Sequence, residues 1–152
     1  RTDCVVYDAT DPDPQRRFKA SIPDCWHGCD WHTECTGGFA VSPDGIHWTE
    51  SFSPGIPSYD EWGLSFDEQE GLFIHYVKFS DPTFGYRSVY LSTSTDFETW
   101  TEPKLVFCAD EEDQEVAPRR IAARLADKTR LTPEYNVPET YRAEVYHMSI
   151  FR

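Results

Sequence analysis

A nine-residue device occurs twice in this chain and sets the spacing of everything around it. The first copy is Ser42-Pro43-Asp44-Gly45-Ile46-His47-Trp48-Thr49-Glu50, and the second is Ser94-Thr95-Asp96-Phe97-Glu98-Thr99-Trp100-Thr101-Glu102. Ser, Asp, Trp, Thr and Glu coincide, and the copies lie 52 residues apart. Each follows a short apolar stretch, Gly38-Phe39-Ala40-Val41 or Ser88-Val89-Tyr90-Leu91. Asp44 and Asp96 are placed to accept backbone N–H groups within their own turn, as Asx residues do. Gly45 offers a permissive backbone, and Phe97 replaces it in the second copy.

A second landmark repeats at nearly the same distance. Asp13 and Gln15 align with Asp67 and Gln69, each pair preceding a strand-like run. Repeats of about fifty residues made of strands and turns point to propeller blades. The fold class expected is therefore all-β, with antiparallel β-propeller blades, about two of five present, and one short helical insertion. The units are a blade-one remnant over 1–50, blade two over 58–108, an insertion over 114–140 and the start of blade three over 143–152. Strands are expected at 3–7, 17–22, 38–41, 62–66, 72–79, 86–93 and 104–108, and again at 143–152. Apolar residues among Ala and Arg predict an amphipathic helix over 116–125, with Pro118 in its first turn. Residues 110–113 read as an acidic turn. Trp48 and Trp100 are expected at equivalent buried positions.

The 152 residues suffice for one domain with a real core. A formal net charge of −13 argues against nucleic-acid phosphate or an anionic membrane as partner. No stretch is long and apolar enough to span a bilayer. The chain begins at Arg1 without Met and shows no signal peptide, so its N-terminus reads as a processed or cut end. Cys25, Cys29 and Cys35 crowd together with two histidines, but their spacing fits no familiar zinc pattern. A loop with one disulfide or free thiols is expected there. No metal and no cofactor are called for.

Four stretches carry a resemblance: 11–20, 42–49, 94–103 and 145–152. Together they resemble the five-bladed propeller proteins of the glycoside hydrolase family 32 and family 43 type, most of all the family-32-like N-terminal domains. The resemblance implies a hydrolase acting on a glycosidic bond, or a non-catalytic carbohydrate-binding or scaffold propeller. It implies an oligo- or polysaccharide partner and a secreted or extracytoplasmic setting. Five blades of this size take about 250 residues, so the chain is expected to be a fragment, completed by the remaining blades or another chain, and inactive alone. Glycosidic hydrolysis takes paired carboxylates, one an acid and the other a nucleophile or base. The catalytic candidates are Asp60 and Glu144, and the substrate contacts are Arg87, His147 and Trp62. Four of the five have a plainer reading. Asp60 suits a turn or cap, Glu144 an exposed strand edge, His147 a packed or solvent-facing ring, and Arg87 an ion pair with Asp81 or Glu98.

Overall fold

In the computed structural model the two repeated turns close hairpins in two separate antiparallel sheets. The structure describes residues 4–23, 36–51, 53–59, 61–83, 85–130, 142–146 and 148–149. The first sheet runs β1 (Cys4–Tyr7), β2 (Phe18–Pro23), β3 (Thr36–Ser42) and β4 (Thr49–Glu50), and β5 (Ile56–Pro57) also pairs with β3. The second is a meander of β6 (Trp62–Asp67), β7 (Leu72–Ser80), β8 (Arg87–Ser94) and β9 (Lys104–Phe107). One helix follows, α1 (Glu111–Ala126).

The turns are alike bond for bond. Ser42 Oγ accepts the Asp44 and Gly45 N–H groups at 3.2 and 2.9 Å. Ser94 Oγ accepts those of Asp96 and Phe97 at 3.3 and 2.9 Å. Asp44 Oδ1 takes the N–H groups of Ile46 and His47, and Asp96 Oδ1 those of Glu98 and Thr99, all between 2.7 and 2.9 Å. These donors, led by the Thr99 N–H, hold the Asp96 carboxyl down to about 2. The Asp44 carboxyl also lies well below its usual range, led by the His47 N–H. The landmark at Asp13 repeats too: Gln15 N–H donates to Asp13 at 2.9 Å, and Gln69 N–H to Asp67 at 3.0 Å.

Each turn places one residue in the left-handed region, Gly45 at φ 75° and Phe97 at φ 62°. Phe97 accepts this strained backbone because its ring is fully buried against Phe39, Phe73 and Trp100. At Gly45 the Phe18 ring already fills the space, and an added Cβ would meet it at 3.3 Å. Gly45→Ala is therefore expected to cost about 1 kcal/mol in urea unfolding. No loss, or a gain, would show that the turn relaxes out of this geometry.

The core lies where the sheets meet. Phe39 from β3 stacks on Trp100 at 4.5 Å and meets His75 of β7 at 5.0 Å, while Ile56, Trp62, Leu64, Phe73 and Val77 complete the cluster. Polar groups also cross the junction. Lys19 of β2 lies over Phe73 and Phe97 at 5.3 and 5.8 Å, and Arg16 pairs with Glu98. The ammonium of Lys19, 1 % exposed, donates to Asp8 at 3.1 Å, Asp11 at 2.7 Å and the Arg16 carbonyl at 2.9 Å. Burial alone would raise both carboxyls. The hydrogen bonds they accept, chiefly from Thr10 and Lys19 for Asp8 and from Lys19 for Asp11, outweigh it and hold both below the usual range.

The propeller expectation does not survive. Among the described residues the sheets are open and do not curl, and neither continues into a closed ring of blades. Residues 142–146 and 148–149 form no strand where the start of a third blade was expected. The first sheet also carries β4 and β5, two-residue strands too short to show periodicity. The tryptophans are not equivalent: both are half-buried, but Trp100 stacks on Phe39 whereas Trp48 only donates to the Gly45 carbonyl at 3.2 Å. The helix starts earlier than expected because Asp110 and Asp113 form a reciprocal capping box, with Glu111 and Glu112 in the favoured first turn. That places Pro118 in the helix interior, where it cannot donate to the Gln114 carbonyl.

Candidate functional site

Of the five residues singled out in the sequence, the structure joins two. Arg87 opens β8, and its Nε donates to Glu144 Oε2 at 2.7 Å while a terminal nitrogen contacts the same oxygen. This carboxylate is the partner of Arg87, in place of Asp81 or Glu98. Trp62 is 6 % exposed and belongs to the core, and its Nε1 has no hydrogen-bond partner among the described residues. Asp60 and His147 lie outside the described residues, as do Cys25, Cys29 and Cys35.

Residues not foreseen complete the cluster around Arg87. Lys78 of β7, 3 % exposed, sits 3.6 Å from Glu61 and 4.0 Å from the centre of the Tyr146 ring. The Arg87 guanidinium lies 4.7 Å from the same ring. Val145 N–H donates to the Arg87 carbonyl at 3.0 Å, and the Gln114 amide exchanges two hydrogen bonds with the Ala143 backbone. Two cations, two carboxylates and one aromatic ring thus compensate one another. The arrangement fastens residues 143–146 to β8 and α1. Its signal in the sequence was Lys78, a cation inside the run of apolar and aromatic residues that forms β7, since such a charge needs a partner.

Among the described residues, a cleft of about 470 Å³ lined by Ile56, Phe79, Tyr90 and Trp100 lies at the junction of the sheets, as do two of about 490 and 390 Å³ that are both lined by Arg16 and Glu98. Most of the acids lining these two are engaged, Asp8 and Asp11 by Lys19, Glu98 by Arg16 and Asp96 by its own turn, while Glu50 stands exposed at the first. Among the described residues no group of three or more His, Cys, Asp or Glu is arranged to hold a metal ion.

One open surface is the outer edge of the second sheet. β9 pairs with β8 on one side, and among the described residues no strand pairs with its other side. All four of its residues are exposed, with Leu105 at 37 %, Val106 at 49 % and Phe107 at 57 %. The pairing shifts register between Val89 and Tyr90, so Val106 has no partner across the ladder. Folded proteins commonly blunt such edges with charge, proline or a cover. Here Lys104 is the strand's one charge, and three large apolar side chains follow it.

Compared with protein-family models and with curated proteins, the chain matches none. The resemblance to family 32 and family 43 proteins is therefore corrected together with the propeller on which it rested. With it go the glycoside hydrolase activity, the carbohydrate-binding or scaffold propeller and the oligo- or polysaccharide partner, since neither the fold nor a relative supports them. The motifs behind the resemblance are turn chemistry, which any antiparallel meander can use.

Proposed function

We propose that this chain is a protein-binding module that takes up an extended segment along the open edge of β9. The observation that carries the reading is the edge itself: four consecutive exposed residues at the end of a sheet, three of them large and apolar. An edge strand presents unpaired N–H and C=O groups, and an added strand satisfies them while covering its side chains. The rest of the second sheet supports this use. β6 to β8 are anchored in the core through Trp62, Phe73, Val77 and Val89, so β9 is held on a rigid frame.

The test uses ten-residue peptides with valine at alternate positions and lysine, threonine or glutamate between. Amide chemical shifts of the whole chain report where each peptide lands. At least one peptide is expected to move the Lys104–Phe107 amides more than those of β1, and Val106→Lys is expected to abolish the effect. If none of the three moves the β9 amides, the reading is overturned.

A further inference from the structure

We infer that the segment received by β9 is cationic, an extended peptide with Lys or Arg alternating with apolar residues. This rests on the reading of β9 as an acceptor edge and adds the chemistry of its partner. The charge around the strand is one-sided. Glu102 lies two residues before β9, and Asp110, Glu111, Glu112 and Asp113 begin three residues after it. All five are exposed. Chain length alone keeps every one of them within about 20 Å of the strand. Against them stand Lys104 and, at the start of the neighbouring β8, Arg87, which is already paired with Glu144.

The helix fixes part of this field in place. Asp110 and Asp113 are tied by the capping box, so the first turn of α1 stays ordered beside the end of β9. Its carboxylates suit the positive end of the helix dipole and are exposed to solvent. A strand laid on β9 projects side chains to both faces at every second residue. Leu105 lies opposite Tyr90 and Phe107 opposite Val89, on opposite faces, so the alternating apolar residues would cover one of the two while the intervening cations run along the other face toward the flanking carboxylates.

The same charge argues against a second copy of this chain as the occupant. Two β9 strands paired edge to edge would bring acidic flank against acidic flank, and each chain carries a formal net charge of −13. Opposite charge favours approach of a cationic segment, and the preference weakens as salt screens it.

The peptides with lysine, threonine or glutamate between valines separate the two ideas. At 50 mM salt the lysine peptide is expected to bind the β9 edge about tenfold more tightly than the threonine peptide, with the glutamate peptide weakest. The gap between lysine and glutamate is expected to shrink at least threefold at 500 mM salt. Glu111→Gln with Glu112→Gln, which leaves the capping pair intact, is expected to shrink it likewise. Equal binding of all three peptides to β9, or preference for glutamate, overturns the cationic partner and keeps the acceptor edge. No binding at β9 by any peptide overturns both. A dimer by sedimentation in the absence of peptide, lost in Val106→Lys, makes a second copy the occupant and overturns the inference.

Discussion

Lys19→Met is expected to destabilise the chain by about 3–5 kcal/mol, enough to remove most of the stability of an ordinary domain. The ammonium is 1 % exposed and lies among Asp8, Asp11 and the Arg16 carbonyl. Removing it leaves two largely buried carboxylates facing each other, with Arg16 Nε, 3.7 Å from Asp11, as the remaining counter-charge. The loss is electrostatic more than steric, because methionine keeps most of the volume over Phe73 and Phe97. Adding Asp8→Asn and Asp11→Asn to Lys19→Met is therefore expected to recover at least half of it. Urea unfolding followed by tryptophan fluorescence reads both variants. A Lys19→Met midpoint equal to that of the parent would mean that the carboxylates reach water without the lysine.

The second large effect is a dependence on pH. His75 is fully buried, and neither ring nitrogen has a hydrogen-bond partner among the described residues. Burial lowers its pKa from 6.5 to about 3. In the unfolded chain the imidazole takes its proton near pH 6.5, whereas the folded chain resists it until about pH 3. The unfolded state thus binds more protons in that window, and stability falls as pH falls through it. At pH 4.5 the loss relative to pH 7 is about 3 kcal/mol. His75→Leu fills a similar volume beside Gly37, Phe39 and Trp100 and has nothing to titrate. It is expected to match or exceed the parent at pH 7 and to hold that stability at pH 4.5. Asp8, Asp11, Asp44 and Asp96 act in a different range. Their folded pKa values lie below 3.8, so their contribution is present above that value and lost only as pH falls beneath it. Equal losses in parent and His75→Leu between pH 6.5 and 4.5 would show that the imidazole charges in place.

The local structure was legible where one residue type fixes a local geometry. Ser42, Asp44 and Gly45 specify their turn through bonds that span two or three residues, and Ser94, Asp96 and Phe97 repeat it. The run that became β7 was visible in its aromatic and β-branched residues. The relation of one sheet to the next was not. Ring closure depends on how faces and edges meet over tens of residues, and a turn motif carries no term for that. Trp48 and Trp100 make the point, with equal settings in their turns and unequal neighbours. The capping box at Asp110 and Asp113 was readable but passed for an acidic turn, since aspartate serves both. Glu144 met Arg87 across 57 positions of sequence, and no local signal announces such a pair. The exposed edge was hidden for a similar reason: Lys104–Phe107 reads as a strand, and only the sheet order reveals that nothing among the described residues lies outside it.

The most direct measurement of the central claim is amide hydrogen exchange along β9, with and without the peptide of alternating lysine and valine. The amides of β7, paired on both sides, are expected to be protected in either case. Those of Lys104–Phe107 that point away from β8 are expected to exchange freely in the chain alone and to slow at least tenfold when peptide is present. Full protection of β9 in the chain alone would show that its edge is already covered, and unchanged exchange with peptide bound elsewhere would show that the edge is not where the chain meets its partner.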